Sequence, residues 1–205
     1  MTPEYSEGPH RFPDTAYDVV GTASSAGGLA ALTAVLSSLP ADFPAAIAAV
    51  QHLDPHHRSL MAEIVSRRTP LAVKQAMDGE WLKPSTVFIA PPDRHLLINR
   101  NGTVSLTQSE LVHFLRPSAD LLFESLAANY RDRAIAVVLS GTGSDGSMGV
   151  KAIKEMGGIV IAQDQATSEF FGMPDAAART GVVDYVVPLS EIGPLLAKLV
   201  EKGIA

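Results

Sequence analysis

The segment Tyr17-Asp18-Val19-Val20-Gly21-Thr22-Ala23-Ser24-Ser25-Ala26-Gly27-Gly28 runs from apolar into small residues, and Leu29, Leu32, Val35, Leu36 and Leu39 then recur at helical spacing. That pattern is a strand, a tight loop and a helix. A second apolar run, Pro44 to Gln51-His52, ends at Leu53-Asp54-Pro55, which cannot continue a regular strand. A third, Ala134 to Ser140, leads through Gly141-Thr142-Gly143-Ser144-Asp145-Gly146 into a helix with Met148, Ala152 and Met156 on one face. Strands alternating with helices predict an α/β fold, a doubly wound and mostly parallel sheet with flanking helices and right-handed crossovers.

The expected order is strand 17–22, helix 27–38, strand 45–51, helix 58–67 and a short strand 71–74. After a strand at 86–90 the rhythm changes, because Asn99-Arg100-Asn101-Gly102 separates two short runs and Asn-Gly is a strong hairpin signal. An inserted β-hairpin at 95–106 is expected there. Helix 118–130, strand 134–139, helix 146–156, strand 158–163, helix 174–180, strand 183–187 and helix 190–202 complete the chain. No repeat or low-complexity tract interrupts it.

Three of the expected strands end in polar side chains: Ser25, His52 and Asp145. In a parallel sheet the carboxyl ends share one side, where open α/β sheets place their sites. A serine hydroxyl needs a base within reach, and the base needs a partner to fix its tautomer. The chain supplies one of each. Each residue also has an ordinary reading: a serine in a glycine-rich loop is a turn residue or helix cap, a lone histidine is a satisfied core residue, and an aspartate before a helix serves the dipole. There is no Gly-x-Ser-x-Gly elbow, and the order Ser, His, Asp differs from that of the familiar serine hydrolases.

Composition narrows the classes. The 205 residues correspond to about one large α/β domain of roughly 100–200 residues, and 46% hydrophobic content suffices for its core. No stretch approaches the roughly 20 apolar residues of a membrane span, and the start of the chain lacks a signal-peptide pattern, so a cytoplasmic protein without membrane insertion is expected. Zero cysteines exclude disulfides and thiolate chemistry, and a net charge of −6 argues against nucleic acid as a partner.

Three other readings stay open on the residues alone. Gly141-Thr142-Gly143-Ser144-Asp145-Gly146 is a full Gly-x-Gly-x-x-Gly, with Asp164 ending the next strand, as in a dinucleotide fold. Against it, Asp145 would oppose a pyrophosphate at the helix start. His52, Asp54, His56 and His57 form a ligand-like cluster that could serve a metal hydrolase, although Pro55 interrupts any helical face. A non-catalytic docking module of a sensory assembly is the third. We expect no cofactor and no metal.

Ser25-Ala26-Gly27-Gly28, Gln51-His52 and Leu139-Ser140-Gly141-Thr142-Gly143-Ser144-Asp145-Gly146 resemble the signature segments of the CheB-type protein-glutamate methylesterase domain. The likeness continues through Asp78-Gly79-Glu80, Ile89-Ala90-Pro91-Pro92-Asp93-Arg94-His95, Arg116-Pro117-Ser118 and Phe171-Gly172-Met173-Pro174, and covers nearly everything from Tyr17 to Val200. It implies Ser25 as nucleophile, His52 as base and Asp145 as orienter, with Ser24 where the family often has alanine. It implies hydrolysis of glutamate γ-methyl esters, and deamidation of certain glutamines, on chemoreceptors or similar helical signalling proteins. A methyltransferase or a receiver protein acting in trans are the further partners expected. Backbone amides at Ala26 and Thr142 are the expected oxyanion donors, on the ground that both border helix starts. Arg94, Arg116, Met173 and Pro174 are placed near the cleft by the resemblance. Familiar members carry a receiver domain before this one. Residues 1–16 read instead as a flexible tail before a catalytic domain at 17–205, a stand-alone arrangement with an open cleft.

Overall fold

In the computed structural model, which describes residues 10–52, 59–112 and 114–201, the apolar runs become a seven-stranded sheet. Its strands are β1 (Val19–Ser24), β2 (Ala46–Gln51), β3 (Ala72–Gln75), β4 (Thr86–Ile89), β7 (Ala134–Val138), β8 (Ile159–Gln163) and β9 (Tyr185–Val187). They lie in the order β3-β4-β2-β1-β7-β8-β9, every neighbouring pair parallel. The expected hairpin forms its own small sheet from β5 (His95–Ile98) and β6 (Val104–Thr107), antiparallel.

Alternation along the strands divides their side chains between two faces, with more of the alanines on one. Val20, Ile47, Val87, Ile135, Val137 and Ile161 pack with α1 (Gly28–Ser37), α2 (Met61–Ser66) and α6 (Leu189–Val200). On the other face small residues, Ala46, Ala48, Ala134 and Ala136, meet α3 (Ala119–Tyr130), α4 (Ser147–Glu155) and α5 (Gly172–Ala178). The small face lets the bulky Leu122, Phe123 and Leu126 of α3 lie close to the sheet. Gly21 shows how close: a Cβ there would come within 2.6 Å of Leu126 Cδ1 and 3.0 Å of Phe123 Cε1. A mid-strand glycine marks such an approach.

Packing extends before Tyr17. Phe12 is buried in the core, and Thr15 forms a bridge with Glu201. The buried Asp18 accepts from the Phe12 amide at 2.7 Å and from Arg133 Nε at 2.5 Å, which ties the starts of β1 and β7 together. Helix α5 begins at Gly172, earlier than expected, with Pro174 inside its first turn, where a missing N–H costs no helical hydrogen bond. The expected helix start at 58 lies outside the described residues, and α2 is described from Met61.

The strand order reverses at β1. From there the chain builds outward through β2 on one side and through β7, β8 and β9 on the other. α1 and α4 leave on opposite faces, so the loops after β1 and β7 diverge and open a crevice at their carboxyl ends.

Candidate active site

Ser25, His52 and Asp145 all come to this crevice. Ser24 and Gln51 are register partners, so Ser25 and His52 follow side by side past the strand ends, and the His52 amide donates to Ser24 O at 3.1 Å. His52 Nε2 lies 2.8 Å from Asp145 Oδ2. The Ser25 side chain makes no hydrogen bond to another described residue, His52 included. It lines an open cleft of about 390 Å³ together with Gly28, Leu29, Gln51, Ile64 and Arg68.

The loop that carries Ser25 is held by its neighbours. Ser24 Oγ donates to Gln51 Oε1 at 2.6 Å, and Gln51 Nε2 donates to Ser25 O at 2.6 Å. The two adjacent serines therefore have different environments: Ser24 is buried and engaged, whereas Ser25 is half-buried and lines the cleft. Ser25 N donates to Ser140 O at 3.0 Å, and Ser140 Oγ donates to Ala26 O at 2.8 Å. Gly27 then turns the chain into α1 at φ 73°, where a residue with a Cβ would be strained. Gln51 and Ser140, quoted only within family-like segments, were given no role of their own although they carry the signal that picked out His52, a polar side chain ending an apolar strand.

Asp145 does not cap the helix that follows it. Its carboxylate crosses to α3, accepting from Ala119 N at 2.6 Å, Asp120 N at 3.1 Å and Ser118 Oγ at 3.0 Å. Burial pushes this carboxyl up, but the bonds from His52, Ala119 and Asp120 outweigh it and hold its pKa below the usual value. An ionised carboxylate can only accept, so Nε2 of His52 carries the proton and neutral His52 keeps its lone pair on Nδ1. The role of Ser118, quoted only within Arg116-Pro117-Ser118, and Asp120 itself were also missed. Their signal was the helix start at Pro117-Ser118-Ala119-Asp120, but nothing in the spacing says which carboxylate that start receives.

The amides of Ala26 and Thr142 donate to no acceptor among the described residues. Thr142 does not border a helix start, contrary to the expectation from sequence: it lies in the loop after β7, and α4 is capped by Gly146. Phe170 and Met173 brace that loop: Gly141 N donates to Phe170 O at 2.9 Å and Met173 N to Gly141 O at 2.8 Å. Met173 and Pro174 are buried, and Arg116 binds Asp93 through Nε at 2.8 Å. Arg94 is exposed.

The glycine-rich turn is not arranged for a pyrophosphate. The first amides of α4 already serve Asp120, whose Oδ1 accepts from Met148 N at 2.9 Å and Gly149 N at 2.8 Å. Of the ligand-like cluster, Asp54, His56 and His57 lie outside the described residues, and no group of three or more His, Cys, Asp or Glu among the described residues is placed to hold a metal. No helix of the described chain is long and apolar enough to cross a membrane.

Fold and site together define a doubly wound α/β domain with an imidazole–carboxylate pair at its switch point. The chain belongs to the CheB methylesterase family, whose model matches residues 20–196. The crystal structure of the Thermotoga maritima CheB methylesterase catalytic domain superposes with a TM-score of 0.86 at 39% identity, covering 89% of this chain and 98% of that one. Protein-glutamate methylesterase/protein-glutamine glutaminases of Moorella thermoacetica and Cupriavidus metallidurans are 40% and 43% identical, each over 89% of this chain. The chain spans 44% and 54% of those two proteins' lengths. A relative in Leptospira interrogans, 37% identical, is matched over 92% of this chain and 97% of its own.

Proposed function

We propose that this protein hydrolyses γ-methyl esters of glutamate side chains on a helical signalling protein of the chemoreceptor kind. The observation that carries the reading is the 2.8 Å contact between His52 Nε2 and Asp145 Oδ2, one strand from a serine that lines the cleft and whose hydroxyl bonds to no other described residue. Family membership and the names of the relatives support the substrate class.

Ser25 Oγ attacks the ester carbonyl while Nδ1 of His52 takes its proton, and Asp145 stabilises the imidazolium. The tetrahedral oxyanion is met by the amides of Ala26 and Thr142. Collapse breaks the carbon–methoxy bond, and His52 returns the proton to release methanol. Water, deprotonated by His52, then cleaves the acyl-enzyme to the carboxylate and restores Ser25. A glutamine side chain enters the same sequence with ammonia as leaving group. A methyltransferase acting on the same glutamates would supply the ester.

The test is methanol release from a methyl-labelled receptor. Wild type should release it and Ser25→Ala should not. Release undiminished in Ser25→Ala would refute the proposal.

A further inference from the structure

His95 opens β5, and its imidazole is fully buried at 0% exposure. Nε2 lies 3.1 Å from the Glu110 carbonyl oxygen, and Nδ1 lies 3.2 Å from the Ser118 amide nitrogen. A carbonyl only accepts and an amide only donates, so both bonds form when the ring is neutral, with its proton on Nε2 and its lone pair on Nδ1. Burial holds the ring below the usual imidazole pKa and the Arg116 cation adds to this, against the opposing Glu110 bond and the Asp145 and Asp93 charges.

Ser118 is the N-cap of α3, with a side chain that accepts from Leu121 N. Its own amide lies outside the helical ladder and needs a partner. Just beyond it come the groups that seat Asp145: the Ser118 hydroxyl and the amides of Ala119 and Asp120. A continuous hydrogen-bonded path therefore runs from His95 through the α3 start and Asp145 to His52.

We propose that His95 is a positioning residue for the hydrolytic site: by accepting the Ser118 amide it fixes the α3 N-terminus that holds Asp145, and through Asp145 the orientation of His52. This rests on the Ser25–His52–Asp145 reading above. A purely structural histidine would lose stability when either ring contact is lost. A positioning residue loses turnover only with the contact toward Ser118.

Two variants separate the contacts. His95→Asn keeps an acceptor where Nδ1 stood, because Oδ1 is bonded to Cγ as Nδ1 is; His95→Gln reaches toward Glu110 instead. On a p-nitrophenyl ester, His95→Asn should keep kcat within about threefold and His95→Gln should lose about tenfold or more, with KM within about twofold in both. Equal kcat in the two variants, or a loss confined to KM, would overturn the assignment. The wild-type protein gives a second check that needs no variant to fold. Its 15N spectrum should show His95 protonated on Nε2 at pH of about 6–8, with a Ser118 amide protected from exchange. A proton on Nδ1, or a freely exchanging Ser118 amide, would also overturn it. Ser25→Ala on the same ester distinguishes the failures: full activity there removes the triad reading, whereas the ring tautomer and the Asn-to-Gln ratio judge His95.

Discussion

Asp145 and Asp120 serve each other's helices. Asp145, just before α4, is bound by the first amides of α3, while Asp120, in the first turn of α3, is bound by the first amides of α4. Each helix start meets a carboxylate from the other chain segment and favours its ionised form; for Asp145 this and the His52 bond outweigh burial, and for Asp120 burial wins. The exchange locks α3 to α4 and fixes the carboxylate that faces His52.

Asp120→Ala should therefore act mainly on stability. It leaves the Met148 and Gly149 amides without their acceptor, a loss of about 0.5–2 kcal/mol for a helix cap, readable as a lower urea midpoint. A variant as stable as wild type would contradict the exchange.

Asp145→Asn should fold and lose roughly 10²- to 10⁴-fold in kcat, because the wrong tautomer of His52 is stabilised. The pH dependence of stability has a definite sign. A carboxyl whose folded pKa is depressed contributes stability above its unfolded value of about 4 and loses it as pH falls below that. The stability gap between wild type and Asp145→Asn should narrow on acidification below about pH 4, as followed by urea unfolding across pH. Asp120 works in the opposite sense, since burial raises its pKa, with the Met148 and Gly149 bonds opposing and the Asp145 charge adding. A gap that widens on acidification would contradict the assignment of the depressed group to Asp145.

Much of this was legible in the sequence, for physical reasons that differ by element. The strands β1, β2 and β7 were readable because they are buried on both faces and so nearly continuous in apolar character. Asn101-Gly102 announced the hairpin. The polar strand ends pointed to Ser25, His52 and Asp145. What Asp145 touches besides His52 was not legible, because its partners at Ser118 and Ala119 are brought to it by the packing of α3 on α4. Ser24 read only as a serine where the family often has alanine, and its bond to Gln51 depends on the β1–β2 pairing.

Ser24→Ala should keep most of its activity. It removes one buried hydroxyl and leaves Gln51 Oε1 without its donor, a cost of about 0.5–1.5 kcal/mol in stability. Melting temperature and turnover measured together check this. A loss of turnover as complete as in Ser25→Ala would contradict the separate roles of the two serines.

Gly141→Ala should harm activity more than its size suggests. A Cβ at Gly141 would meet Met173 Sδ at 2.3 Å and both Ser25 N and Cβ at 3.0 Å, so Ser25 or the loop bearing Thr142 must move. The flexible Met173 can yield, but the Ser25 backbone cannot without shifting the proposed nucleophile. Displacements of this kind cost up to about 10²-fold in rate. An unchanged kcat on a small ester would show that the Ser25 position tolerates the crowding.

The most direct test of the whole account is to treat wild type, Ser24→Ala and Ser25→Ala with a serine-directed fluorophosphonate and map the adduct by peptide mass spectrometry. A single adduct on Ser25 in wild type and in Ser24→Ala, none in Ser25→Ala, and loss of ester hydrolysis in step with labelling is the predicted result. An adduct on Ser24, or an unlabelled protein that still hydrolyses the ester, would contradict it.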